Sequence, residues 1–297
     1  MPTPLTTKFQ PAAVLRVTGE DAPDYLQSQC SNDLRNLQRG QYCYGLWLDR
    51  KGKVCADSLI FWLGPEDYLL LSYGCPADSL IAKLEENIIA DEVEIEDLTE
   101  TACLVVEIGL DENDVPADGI FIPVTPRPAG KSTPAAVCFA GRHSRSPDRE
   151  TLWLYSLPEG LELNADPSIL AYERIAAGVP LVPVDIGPGD LPQEGGLEKV
   201  AVSFNKGCYL GQEVMARLHA MGRTQRALHQ IDLEKLPESL PVEILNSEGK
   251  AVGELRSAAA REGSVIGLAM LKKRALTEGT ALSVVGAGAV TVRGALG

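Results

Sequence analysis

Residues 226–297 constrain the fold more than any other stretch, because they read as a succession of short alternating strands. Short runs of alternating apolar and polar residues follow one another at 227–233, 241–245, 251–255, 265–270, 281–285 and 289–292. A period of two turns one face of each run inward, and a glycine-containing turn at 246–249 joins two of them. Several short strands separated by turns predict a small antiparallel barrel. A second strand-rich region lies earlier. Residues 42–48, 54–63 and 68–73 read as strands, the first two joined by a turn at 50–53 containing Gly52, and 93–98 and 103–108 read as two more. Between them Asp78 is placed to cap a helix whose apolar face is Leu80, Ile81, Leu84 and Ile88. Strands covered on one face by a helix predict an α+β unit.

The remaining segments are less regular. Residues 21–29 read as a short helix with Ala22, Tyr25 and Leu26 on one side, followed by the turn formers Ser31, Asn32 and Asp33. Pro116, Pro123, Pro126, Pro128 and Pro134 forbid a long helix across 110–150, which reads as a loop-dominated connection with one or two short strands. Residues 151–156 are strand-like again. Asp166 then reads as an N-cap, Pro167 as the first helical residue, and Gly178 as the C-terminal turn of a helix carrying Ile169, Leu170 and Ile175.

Composition decides which partners to expect. A chain of 297 residues, 45% of them hydrophobic, can bury a sizeable core in two or three domains. Its formal charge of −14 repels nucleic acid and anionic membranes. No apolar run approaches the roughly 20 residues that a bilayer demands, and residues 1–16 do not read as a signal peptide. The seven cysteines show no CxxC spacing, which fits reduced thiols and a cytoplasmic location. His143, His219 and His229 form no metal-like pair, so no metal site is expected.

Against that acidic background one segment stands out. Residues 205–226 read NKGCYLGQEVMARLHAMGRTQR and hold Lys206, Arg217, Arg223 and Arg226 against a single acid, Glu213. A cationic cluster in an acidic chain points to an anionic ligand. Gly207 and Gly211 let a ligand approach the backbone, and Gln212 and Glu213 suit a heterocycle with amide-like edges.

Lys206-Gly207-Cys208-Tyr209 with Gly211-Gln212-Glu213 resembles the K-G-C-Y-x-G-Q-E signature of the YgfZ family, related to the glycine-cleavage T-protein. Around it, Arg226-Ala227-Leu228, Pro192-Gln193-Glu194 with Leu197, and Arg174-Ile175 with Gly178 and Pro180 are similar to further family segments. So are Ser31-Asn32-Asp33 and Lys51-Gly52-Lys53 with Asp57, and the likeness spans about residues 14–230. The resemblance implies a three-lobed α+β fold around a central opening that holds tetrahydrofolate. Its parts would be a discontinuous folate-binding lobe at 1–41 and 110–225, a ferredoxin-like lobe at 42–109, and the C-terminal antiparallel barrel at 226–297. It also implies an accessory protein for iron–sulfur enzymes or assembly proteins, binding tetrahydrofolate or a one-carbon derivative, with no nucleic-acid or membrane partner.

Residue by residue, the resemblance and the chemistry assign Glu194 to the pterin ring and Arg217 and Arg223 to the glutamyl tail. Tyr209 is a stacking residue or a core residue. Lys206, Gln212, Glu213 and Asn32 complete the expected folate contacts. Cys208 is the candidate catalytic thiol or partner contact, favoured as thiolate by Lys206. The alternative is a tetrahydrofolate-dependent aminomethyltransferase or a related one-carbon transferase. Two departures argue against it. Ser79 or Leu80, beside Asp78, falls where T-proteins carry a transfer aspartate, and Ala176 replaces an acid in their R-x-E-A-G segment.

Overall fold

The structure is a computed structural model that describes residues 3–124, 134–141, 148–276 and 281–296. The chain opens with β1 (Leu5–Phe9), β2 (Ala13–Thr18) and α1 (Ala22–Gln29). Next come β3 (Tyr42–Leu48), β4 (Val54–Gly64), β5 (Asp67–Ser72), α2 (Ala77–Glu85), β6 (Glu94–Asp97) and β7 (Cys103–Ile108). The middle supplies β8 (Phe121–Val124), β9 (Ala136–Ala140), β10 (Asp148–Trp153), α3 (Ile169–Ala177), α4 (Glu198–Ala201) and α5 (Gln212–Met221). The last part holds β11 (Arg226–Leu233), β12 (Val242–Asn246), β13 (Ala251–Arg261), β14 (Ser264–Lys272), β15 (Leu282–Val284) and β16 (Gly288–Ala295).

The final six strands close into a barrel of order β11-β14-β13-β12-β15-β16, with every pairing antiparallel. The barrel pattern read from the sequence is therefore what forms. Alternation along β14 shows how the barrel attaches. Ala269 and Leu271 face the barrel core, while Ile266, Leu268 and Met270 join the main core outside it. A strand buried on both faces reads as a continuous apolar run, and this one does.

Two five-stranded sheets make up the rest, ordered β3-β4-β5-β2-β6 and β1-β7-β10-β9-β8. The first sheet is a middle layer. Its Leu15, Trp47, Ile60, Tyr68 and Leu70 pack under α1 and α2, and its Val14, Leu46, Leu59, Phe61, Leu69 and Leu71 face the second sheet. The sheets do not follow the sequence boundaries at 42 and 109. β2 enters the first sheet from before residue 42, and β7 leaves 42–109 to pair with β1 and β10. Pairing edges, not chain continuity, decide which sheet a strand joins.

Two helix starts differ from expectation. α2 begins after Pro76, with exposed Asp78 inside its first turn and not at its cap, and Ile88 lies beyond its end. The cap of α3 is Ser168, whose N–H donates to the Asp166 carboxylate at 2.8 Å, so Asp166 fixes the preceding turn. Gly178 does end α3, at φ +73°, a left-handed conformation that glycine adopts without strain. Of the proline-rich connection, Pro126 and Pro128 lie outside the described residues, as does His143.

Candidate functional site

Two residues of the signature segment, Lys206 and Tyr209, are buried. Lys206 is 5% exposed, and its ammonium donates to three backbone carbonyls: Gln27 at 2.6 Å, Cys30 at 2.7 Å and Asn32 at 2.9 Å. An ammonium has three N–H donors, so none is left for an anion. Burial lowers its pKa. Tyr209 is buried in the main core with its ring 5.1 Å from the Lys206 Nζ, and burial pushes its hydroxyl up to about 12. Lys206 and Tyr209 are therefore scaffold. They fasten the loop before α5 to the end of α1 and the Ser31-Asn32-Asp33 turn, and the Leu210 N–H donating to Ser28 at 3.2 Å reinforces this.

The second half of the signature meets a distant turn. Gly211 stands at φ +86°, and a side chain there would strike the Asp49 carbonyl and Gly52. The Lys51-Gly52-Lys53 turn, capped by the Asp49 carboxylate, thus sits directly against the start of α5. Gln212 and Glu213 open that helix, and Glu213 and Arg217 are exposed on it. Cys208 is the one exposed cysteine of the seven.

Glu194 also has its partners inside the protein. It is 5% exposed, and its oxygens accept from Arg226 Nε at 2.8 Å and from the Leu191 N–H at 2.8 Å. Arg226 bridges on to Asp190 at 2.7 Å, and Asp190 also pairs with Arg256, which reaches Glu254. This chain of charges joins β11 and β13 of the barrel to the 187–194 segment. Glu194, expected at the pterin ring, thus also ties the barrel to the 187–194 segment, and it does not line the cavity described next.

A central cavity of about 280 Å³ lies elsewhere. It is lined by Tyr44, Asp57 and Tyr73 of the first sheet and by Arg174 and residues 178–181 at the end of α3. Residues 195–197, Lys199 and Val200 around α4, with Leu296, complete it. Both tyrosine rings are fixed by their hydroxyls, Tyr44 donating to Asp57 at 2.8 Å and Tyr73 to Glu150 at 2.7 Å. Asp57, 5% exposed, also accepts from Ser72 at 2.8 Å. Arg174 is held by Asp185 at 2.7 Å and by the Val179 carbonyl at 2.7 Å. Lys199 is exposed at the rim and pairs with no carboxylate among the described residues. An adjoining cavity of about 500 Å³ shares Tyr44, Val179 and Val200 with the first and adds Asn32 and Cys43.

Of the expected site residues, none lines the first cavity and only Asn32 lines the adjoining one. Its side-chain amide is tied to the Tyr44 carbonyl at 2.8 Å. Arg223 lines a separate cavity near the end of α5. Cys208, Gln212, Glu213 and Arg217 line neither part of the central space. Sequence reasoning passed over Tyr44, Tyr73 and Lys199. Asp57 and Arg174 stood inside recognised segments but were given no role. A carboxylate within the apolar run 54–63 was the available signal, since an acid in a buried strand needs a partner or a task.

The cavity's chemistry fits a folate. Two fixed aromatic rings suit a flat heterocycle, a buried carboxylate suits an amino-pyrimidinone edge, and a rim lysine suits a carboxylate tail. No helix among the described residues is long and apolar enough to cross a membrane.

Residues 9–109 match the family described as the GCVT N-terminal domain. Over 288 residues the chain is 28% identical to an Arabidopsis thaliana protein provisionally named a chloroplastic transferase, covering 91% of this chain and 66% of that one. Over 226 residues it is 28% identical to the tRNA-modifying protein YgfZ of Yersinia pseudotuberculosis, covering 73% of this chain and 67% of the relative. The chain thus spans about two thirds of the length of these relatives. Among solved structures, the glycine cleavage system aminomethyltransferase T of Bartonella henselae has the same fold. The TM-score is 0.78 over 99% of this chain and 86% of that one, at 16% identity.

Proposed function

The chain is a T-protein-like protein of the YgfZ type, and from that premise we propose that it holds a reduced folate in the central cavity and serves as an accessory protein in iron–sulfur cluster assembly or repair. The observation that carries the folate reading is the cavity floor, where Asp57 is held by Tyr44 and Ser72 beside the fixed ring of Tyr73. In this reading the pterin lies between the tyrosines with its amino edge toward Asp57, and the tail passes Lys199 into the space beside Asn32. Tetrahydrofolate, when bound, supplies a one-carbon carrier, and the protein's own groups bind and orient it.

Two observations favour an accessory role over transfer chemistry. Asp78, the acid beside the expected transfer position, is exposed on α2 and does not line the cavity. Relatives bear the name tRNA-modifying protein, yet a surface of net charge −14 opposes a direct grip on tRNA. Support of an enzyme that acts on tRNA reconciles the two, and exposed Cys208 is available to such a partner.

Calorimetric titration with tetrahydrofolate tests the folate reading. A Kd between about 1 µM and 1 mM is expected, on the order of −4 to −8 kcal/mol; no heat and no thermal shift at saturation would sink it. Incubation with tetrahydrofolate and a lipoyl carrier protein bearing an aminomethyl group on its dihydrolipoyl arm is expected to yield no methylene-tetrahydrofolate and no ammonia, and robust product would make the chain a transferase. Restored iron–sulfur enzyme activity in cells lacking their own homologue tests the accessory role.

A further inference from the structure

The two open sheets have four outer strands between them, β3, β6, β1 and β8, and the chain itself closes three of these. Beside β3 the Ser31 N–H donates to the Leu46 carbonyl at 3.0 Å and the Asn32 amide donates to the Tyr44 carbonyl at 2.8 Å. Beside β1 the Asn164 N–H donates to the Thr6 carbonyl at 3.0 Å, and its side-chain oxygen accepts from the Thr6 N–H at 2.7 Å. Beside β8 the Phe121 N–H donates to the Gly40 carbonyl at 2.7 Å. The barrel is closed and has no edge. β6 differs from all of these. Its residues 94–97 pair with 15–18 of β2, and the Leu98 N–H donates to the Val14 carbonyl at 2.8 Å. Alternate residues of an antiparallel ladder point their main-chain groups to opposite sides, so Glu94 and Glu96 face β2 while Ile95 and Asp97 face away. Neither the N–H nor the carbonyl of Ile95 or Asp97 has a hydrogen-bond partner among the described residues.

The charge around this edge restricts what can pair with it. Residues 85–100 hold eight acids and no lysine, arginine or histidine, a net of −8 within a chain of −14. All eight acids are exposed. Among the described residues only Glu86, with Lys83 at 2.6 Å, and Glu96, with Arg16 at 3.8 Å, pair with a cation. Glu94 and Glu96 project to one face of the strand and Asp97 to the other, so acids flank the open edge on both sides. A second copy of the same edge would set acid against acid, and a nucleic acid would meet the same repulsion. An extended protein segment rich in lysine or arginine would meet complementary charge and unpaired main-chain groups together. Charged edges also guard against aggregation, but that need does not account for Ile89, which is 92% exposed just before the strand and offers an apolar contact at its end.

We propose that the free edge of β6 is a docking site for a partner protein, which adds an extended basic segment to the first sheet as a further strand. The site stands independently of the folate reading, since no residue of β6 lines the central cavity or the one adjoining it.

The test is calorimetry on the full chain with three peptides: acetyl-KVKVKVK-amide, the same peptide methylated at every main-chain nitrogen, and acetyl-EVEVEVE-amide. The first is expected to bind with a Kd of about 100 µM. The methylated form keeps the charge but cannot donate to the edge, and it should bind about tenfold more weakly or worse, as should the acidic form. Glu94→Lys, at an exposed and unpaired position, should weaken the basic peptide by about fivefold or more. Glu238→Lys makes the same charge change on the barrel and should leave the affinity unaltered. Equal affinity for the basic peptide and its methylated form, as adsorption on any acidic surface would give, overturns the proposal. So does an equal loss in the two variants, or no heat with the basic peptide. Sedimentation showing a dimer of the free chain that Glu94→Lys alters would assign the edge to a second copy and overturn it as well.

Discussion

The signature loop and the central cavity are opposites. In the loop, Lys206 turns inward to three carbonyls, Tyr209 to the core and Gly211 to the 49–53 turn, while Cys208, Glu213 and Arg217 stay exposed. In the cavity, the chemistry comes from Tyr44, Asp57, Tyr73, Arg174 and Lys199, scattered over five segments with no shared pattern. The buried charge of Lys206 meets a structural need, and the wall of the cavity proposed for folate is assembled from less conspicuous residues. The reason is that a buried cation must be satisfied by specific partners, whereas a cavity wall needs only shape and a few placed polar atoms.

Substitutions break or sharpen that contrast. Lys206→Ala should have the largest effect, about 4 kcal/mol of unfolding free energy, because three carbonyls lose a charged donor at once. The folate affinity of the molecules that remain folded should hardly change. If denaturant unfolding showed little loss while folate binding collapsed, Lys206 would belong to the cavity after all. Asp190→Ala should cost about 3 kcal/mol, since Arg256 is then left half-buried and short of a partner. The same unfolding experiment reads it, and a loss near zero would mean that the barrel is held by apolar packing alone.

Alkaline pH should act next. Burial pushes the Cys30 thiol up to about 11 and the Cys75 thiol up to about 12. The folded state therefore keeps protons that the unfolded state releases, and stability should fall as pH rises from about 9 towards 11, on the order of 2 kcal/mol. Lys206 works the other way, because its lowered pKa lets the unfolded state hold a proton the folded state gives up. Stability should thus gain slightly from that group as pH rises towards its ordinary value. Urea midpoints across this range should fall, and fall less in Cys30→Ala; a flat profile would show that the thiols ionise in place.

Asp57→Asn keeps the shape and one acceptor but removes the charge. It should weaken tetrahydrofolate by about tenfold, roughly 1.4 kcal/mol, with a smaller change in stability. Calorimetry on the variant decides this, and undiminished binding would move the pterin away from the cavity floor. Cys208→Ser should do least to stability, under about 0.5 kcal/mol, because the side chain is exposed. Mild alkylation followed by peptide mass spectrometry should nonetheless label Cys208 before the other six cysteines. Earlier labelling of another thiol would remove Cys208 from consideration as a partner contact.

The sequence alone determined most of the strands and where they alternate. Five of the six barrel strands, and β3, β4 and β5, lie within a few residues of where periodicity puts them, because a period of two is a local property of the chain; β13 runs on to Arg261, well past the expected 251–255, and β1 and β2 are not read as strands from the sequence. It also determined the family resemblance, since an eight-residue motif is read without knowing where its side chains point. Only the tertiary structure decided that β2 and β7 exchange sheets, that Lys206 is caged by the 27–32 carbonyls, and that Glu194 belongs to Arg226. The cause is the same in each instance. Which strand edge is free, and which oxygen solvates a charge, depends on groups as many as 179 residues away, and no local pattern carries that information.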